Sequence, residues 1–316
     1  MTKTAIYALV TVLILGLGTQ GVAQEQPPST GAGILTRDGI GAQALALGNA
    51  FVAIADDSTA GYYNPASLAS LTGTHVGGMY QSKFDPSSGA SSQYLSATYH
   101  FPESEFAGGL TLVRRSDRDI PTDTGTFDAT ETLLLASAGY ALSEALDLPW
   151  DGELALGASL KLFVSAGAGS ASARGFGADL AARASAGFES WTLHLGYRTS
   201  DLGGSGLQWS GTRHEITETI PWGHHAGFGI DFPEWAIRVA GEVGLYPAEP
   251  ELNSAHVGIE IGVFGLALRA GLSDGIPAFG VGILALPGLS IDAAVLLQDP
   301  QFLGGVSVVA STDFSF

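Results

Sequence analysis

A period of two runs through most of this chain, from about residue 73 to the final Phe316. In residues 191–198, Trp191, Leu193, Leu195 and Tyr197 fall on one face, and Thr192, His194, Gly196 and Arg198 on the other. Val257, Ile259, Ile261 and Val263 alternate with His256, Gly258, Glu260 and Gly262. Leu289, Ile291, Val295 and Leu297 alternate with Ser290 and Asp292. Successive side chains of a strand point to opposite faces, so each segment predicts a strand with one apolar face and one small or polar face. About fourteen such segments can be marked, at 74–84, 91–101, 104–115, 130–142, 152–165, 173–188, 190–199, 223–232, 234–246, 255–264, 265–273, 277–286, 288–298 and 304–316.

The connections alternate in length. Tight turns are expected at 102–104, 188–190, 232–234, 264–265 and 287–288, with a longer one near 143–151. Longer polar loops are expected at 85–89, 116–128, 200–221, 247–253 and 299–304. An even strand count with short turns at one end and long loops at the other predicts a closed antiparallel transmembrane β-barrel. Lipid offers no hydrogen bonds, so a sheet can sit in it only when it closes and leaves no free edge. Composition agrees: apolar residues make up 46 % and charged residues 14 %, against a usual charged share of about 25 %. In a soluble barrel the apolar faces would turn inward, and fourteen strands would enclose more space than side chains can fill.

The first 23 residues read as a secretory leader. Lys3 precedes an apolar run over residues 5–18, and Gly21 and Ala23 are the small residues expected before a cleavage point after Ala23. The remaining chain has 12 basic against 31 acidic residues, a balance of −19. That acidity argues against nucleic acid as a partner, because phosphate binding needs a basic face. The absence of cysteine excludes disulfides, thiolate metal sites, cysteine nucleophiles and a lipidated-cysteine anchor. His224 and His225 would point to opposite faces of a strand and cannot chelate together. Asp56-Asp57 lacks further ligands, so no metal or other cofactor is expected. No Gly-x-Ser-x-Gly elbow is present, and nothing in the sequence supports an enzyme.

Residues 39–69, GIGAQALALGNAFVAIADDSTAGYYNPASLA, match neither a clean helix nor a clean strand. They resemble the N-terminal hatch of the FadL-type outer-membrane transporters of long-chain fatty acids and other hydrophobic compounds, and equally the PorV/PorQ-type barrels of the same superfamily. The matching features include Gly41, Gly48, Phe51, Asp56, Asp57, Tyr63 and the run Asn64-Pro65-Ala66. The resemblance implies a fourteen-stranded barrel with residues 24–71 as a plug in its lumen and 72–316 as the wall. It implies transport of hydrophobic small molecules across the bacterial outer membrane, with the hatch gating the route and a sideways exit through the wall into lipid as one option. The alternative it implies is a PorV-like barrel that binds secretion-system proteins during surface attachment. The terminal Phe316, closing an alternating strand, resembles the signal read by the barrel assembly machinery.

Strand parity makes Lys161, His194, Arg198, Arg238, Glu242, Glu260, Arg269 and Asp292 candidates to face the lumen. Lys161, Arg198, Arg238 and Arg269, together with Arg183, are candidate partners for the hatch acids. Trp191, Trp222, Trp235, Tyr197 and Tyr246 sit near expected strand ends, where they would form interfacial girdles. Trp209, with Leu207 and Ile216, lies in the expected loop 200–221. That loop either packs on itself or, as the resemblance implies, collects apolar ligands at the mouth.

Overall fold

The computed structural model describes residues 33–84, 89–122, 125–142, 152–212, 216–297 and 305–316; the leader and its cleavage point lie outside them. The wall contains β1 (Thr74–Phe84), β2 (Ser91–His100), β3 (Phe106–Thr122), β4 (Gly125–Ala141), β5 (Gly152–Ala166), β6 (Ser172–Gly187) and β7 (Thr192–Ser200). A short hairpin follows, β8 (Ser205–Ser210) and β9 (Ile216–Ile220). The wall resumes with β10 (Gly223–Phe232), β11 (Ile237–Leu245), β12 (Ser254–Val263), β13 (Leu266–Ser273), β14 (Ile276–Leu286), β15 (Leu289–Leu297) and β16 (Val306–Ser315).

Each wall strand pairs antiparallel with its neighbour, β7 pairs with β10, and β16 returns to β1, so fourteen strands close a ring. At the seam Thr74 N–H donates to Phe316 O (2.8 Å) and Phe316 N–H donates to Thr74 O (3.0 Å). The ring leaves no unpaired edge, which is what a sheet in lipid requires. The outward face carries exposed apolar side chains around the circumference, including Tyr80, Leu95, Leu110, Leu160, Phe176, Leu195, Leu268, Phe279 and Val308. Leu160 is 69 % and Phe176 75 % exposed, values that make sense against hydrocarbon and not against water. Among the described residues no helix is long and apolar enough to cross a membrane.

The two rims differ. One holds the seam and the tight turns, such as Phe264-Gly265, where both residues have positive φ (51° and 78°). The opposite rim is uneven, because β3 and β4 run to 17 residues each while β13 has 8. Two expectations are corrected here. The expected loop 116–128 is largely strand, with β3 reaching Thr122 and β4 starting at Gly125; a register break lies between Asp117 and Ile120. The expected loop 200–221 contains the β8–β9 hairpin, which extends β6 through the Ser172–Gly175 and Leu207–Ser210 pairing. Both segments stand beyond the apolar belt, where polar residues can occupy both faces.

Residues 33–71 form short helical turns inside the ring, among them Ala42–Ala46, Ala60–Tyr63 and Pro65–Ser70. Phe51, Leu47 and Leu68 in this segment have no exposed surface, and it merges with inward-facing wall residues into one core.

The lipid-facing reading predicts the effect of a buried charge. Leu160→Arg is expected to destabilise the folded barrel by about 2–4 kcal/mol if the residue lies near mid-bilayer, measured as a shift in the denaturant midpoint in phospholipid vesicles. A variant as stable as the parent would argue against lipid on this face.

Candidate functional site

The lumen is occupied by the 33–71 segment, and glycines let its backbone press against the wall. A Cβ on Gly157 of β5 would lie 2.2 Å from Ala66 N, one on Gly196 of β7 would lie 2.3 Å from Val52 O, and one on Gly258 of β12 would lie 2.4 Å from Leu47 O. No L side chain fits such gaps, so the high glycine content of the inner face is a packing requirement.

Within the segment, Asn64 is extended (φ −156°, ψ 100°), as expected before a proline. Its Oδ1 accepts from Ala66 N–H at 3.0 Å, and its Nδ2 donates to Val52 O at 2.7 Å and to Ala182 O of β6 at 3.2 Å. Pro65 and Ala66 then fit over Gly157 and Gly139. Tyr63 stacks edge-on with Phe51 at 5.1 Å, and its hydroxyl accepts from Ile40 N–H at 2.9 Å. Burial pushes the Tyr63 phenol well above its ordinary value. Gly41 and Gly48 take positive φ (85° and 67°), and Gly48 turns the chain against the Leu272 backbone of β13.

All eight inward-facing candidates point into the barrel. Glu242 accepts Phe51 N–H at 3.0 Å and Val52 N–H at 2.9 Å, while its other oxygen lies 3.3 Å from His225 Nδ1. Arg238 links Asp56 (2.6 Å) to Asp231 (2.8 Å), and His194 bridges Arg183 (3.1 Å) and Asp231 (3.3 Å). Arg198 donates to Tyr62 O. Lys161 pairs with Asp179 (2.6 Å) and Asp201 (3.1 Å), anchoring the start of the β7–β8 connection. Glu260, Arg269 and Asp292 form a wall triad with both contacts at 2.5 Å. Of the five bases considered as partners for the hatch acids, Arg238 alone makes that ion pair among the described residues. Asp57 instead accepts from Thr59 N–H (2.8 Å), and Ser58 N–H donates to Asp313 Oδ2 (2.9 Å). Burial, with repulsion from Asp313 and Asp56, pushes the Asp57 carboxyl up to about 7.

Part of the interior is apolar. Val113, Leu133 and Phe163 of the wall join Leu207 and Ile220 of the β8–β9 segment and Leu35 of the plug in one buried, packed apolar cluster. Trp209 packs partly buried against it. Ile216, directly across from Trp209, remains 46 % exposed. Leu207, expected on an open mouth, is buried at 3 % because β8 pairs with β6 opposite Gly175 and turns it into the apolar cluster. Alternation alone did not mark the wall members. Their signal is a local loss of alternation, in Leu110-Thr111-Leu112-Val113, Leu133-Leu134-Leu135 and Leu162-Phe163-Val164.

The girdle expectation needs one correction. Trp191 stacks on Phe188 at 4.1 Å and Trp235 on Phe232 at 5.7 Å, both at the tight turns, and Trp222 and Tyr197 flank His224 on the outer surface. Tyr246 is 4 % exposed and points inward, edge-on to His225 at 5.8 Å.

These features define a membrane-spanning β-barrel of the outer-membrane type, closed by an internal plug. The chain matches no family model, and no curated protein matches it. Its fold is that of the FadL-type channels. The CymD monoaromatic hydrocarbon channel superposes with a TM-score of 0.57 at 12 % identity, covering 88 % of this chain and 98 % of that one. The Pseudomonas putida toluene transporter TodX gives 0.53 at 15 % identity over 88 % and 98 %. A Pseudomonas aeruginosa FadL homologue gives 0.53 at 12 % identity over 84 % and 96 %.

Two outcomes are expected. Gly157→Val should unseat the plug at Ala66 and cost about 1–3 kcal/mol, read as faster proteolysis within residues 33–71 while the barrel stays heat-modifiable on gels. Because the Asp57 carboxyl is raised in the folded state, its contribution is fully present below about pH 4 and is lost as pH rises through about 7. Plug protection should therefore fall over that interval, and Asp57→Asn should flatten the profile.

Proposed function

We propose that this chain is an outer-membrane channel for hydrophobic small molecules, not an enzyme. The observation that carries the reading is the buried apolar cluster on the inner face of the barrel. A porin-type barrel holds water against a polar inner face. Here Val113, Leu133 and Phe163 turn apolar side chains inward, and the β8–β9 hairpin covers them with Leu207 and Ile220. A hydrophobic solute gains roughly 0.8 kcal/mol for each CH₂ it buries on leaving water. The solved barrels of this fold are named as monoaromatic hydrocarbon and toluene channels, which supports the same ligand class. The long-chain fatty acids implied by the sequence resemblance are the larger members of that class.

In this mechanism a ligand enters beneath the hairpin, displaces side chains of the apolar cluster, and meets the plug. The plug is fastened by groups that can let go one at a time: the Glu242 clamp on Phe51 and Val52, the Asp56–Arg238 pair, and the Asp313 contact with Ser58. Passage past Asp56 and Asp57 then leads to the tight-turn rim. β2, β3 and β4 are paired continuously from Ser91↔Ser116 to Ala107↔Gly139, so a sideways exit between these strands would need that pairing to open. Phe316 follows β16, pairs with Thr74 at the seam and is 79 % exposed.

Toluene and oleate binding to the purified barrel, followed by tryptophan fluorescence, tests the proposal. Binding is expected for the parent, and Trp209→Ala is expected to weaken it roughly 5- to 10-fold. Deletion of residues 25–70 should raise ungated flux into liposomes. Absence of binding, together with a co-purifying secretion protein, would replace the channel reading with the PorV-like one.

A further inference from the structure

Two sets stand out among the cations of the described residues. Lys83, Arg115, Lys161, Arg183, Arg238 and Arg269 turn inward, and each pairs with a carboxylate. Arg114, Arg118 and Arg174 are exposed and make no ion pair or hydrogen bond among the described residues. All three lie on the projecting sheet of β3–β6.

The ladder places Arg114 and Arg174 at one height. Residues opposite one another across the strands run Gln93, Arg114, Thr132, Val164, Arg174 and Gln208. Two residues nearer the tight-turn rim, the corresponding row is Leu95, Leu112, Leu134, Leu162 and Phe176. Two residues the other way it is Ser91, Ser116, Thr130, Ala166, Ser172 and Ser210. The apolar belt ends at the arginine row, and a hydroxyl-rich row follows. No acid occupies any of the three rows. Arg118 stands further out on β3, where the nearby Asp128 carboxylate accepts from Asp119 N–H at 3.1 Å.

We infer that Arg114 and Arg174, with the serine and threonine hydroxyls just beyond them, form a docking face for a phosphorylated glycolipid headgroup of the leaflet at the long-loop end. Position and charge select this occupant. A cation at the border of the hydrocarbon layer meets the headgroup phosphates of the lipid beside it. Guanidinium donors pair with phosphate in a fork that ammonium groups cannot form. Three strand spacings separate the two arginines, roughly 14 Å. That span suits a headgroup bearing two phosphates, one for each arginine. The serine row adds neutral donors to the same headgroup, and the leucine row below receives its acyl chains.

Arg114 and Arg174 are exposed on the outer face, away from the plug and the apolar cluster, so this face can succeed or fail independently of the transport reading. The test uses the full-length barrel, purified in detergent, with bisphosphorylated lipid A as the probe. Lipid retention is read by native mass spectrometry, and stabilisation by the midpoint of heat-induced unfolding. The parent is expected to retain lipid A and to unfold at a higher temperature when it is added. The dephosphorylated glycolipid and inorganic phosphate alone should both fail to do so. The double variant Arg114→Gln, Arg174→Gln should bind lipid A roughly 30-fold more weakly and lose the stabilisation, while its unfolding midpoint without lipid A stays at the parent value. Equal retention by parent and double variant, or equal stabilisation by the dephosphorylated glycolipid, would overturn the proposal. If the double variant fails to fold, Arg174→Lys keeps the charge but not the fork, and undiminished lipid A binding by that variant would equally count against it.

Discussion

Every amide in the hydrocarbon layer must find its partner inside the wall, and the rest of the molecule follows from that demand. It requires the strands to close, which leaves a ring of fourteen whose first and last members meet at Thr74 and Phe316. Closure of that many strands creates a lumen that wall side chains cannot fill. The plug fills it, and its irregular backbone is tolerated there because protein groups satisfy it away from lipid. Glu242, Asn64 and Asp313 meet plug amides and carbonyls that have no partner in a regular element.

The interior mixes two kinds of contact. Near the tight-turn rim Arg238 joins a plug acid to a wall acid and Arg269 joins two wall acids. Toward the long loops the apolar cluster of Val113, Leu133, Phe163 and Leu207 lies among further ion pairs, Lys83 and Arg115 with Asp38 of the plug and Lys161 with Asp179 and Asp201. The plug takes part in both, through Leu35 in the cluster and through Asp38 and Asp56 in the ion pairs.

The ring and its parity were legible in the sequence because lipid imposes a strict alternation on residues that face it. His224 and His225 illustrate the gain: opposite faces were evident from adjacency alone. The plug was legible through its resemblance to known hatches, since Gly41, Asn64 and Pro65 carry backbone requirements that few other residues meet. What escaped was structure outside the lipid layer. Beyond Arg114 both faces of β3 carry polar residues, so the strand continued where a loop was expected. The β8–β9 hairpin has only six and five residues in its strands, too few for alternation to stand out. Tyr246 was placed at the surface because aromatic residues at strand ends usually mark an interface, but its strand turns it toward His225.

The seam between β1 and β16 carries a consequence for assembly. These strands lie more than two hundred positions apart in the chain, so the last ladder to form closes the longest loop. The plug precedes β1 in sequence and lies inside the finished ring. A folding order that shut the ring first would leave the plug to thread a narrow opening. The geometry favours the reverse order, in which the open sheet curls around a segment already resting on its glycines. In that order the plug serves as the form on which the wall is rolled, and its seating becomes a step in making the barrel as well as in closing it.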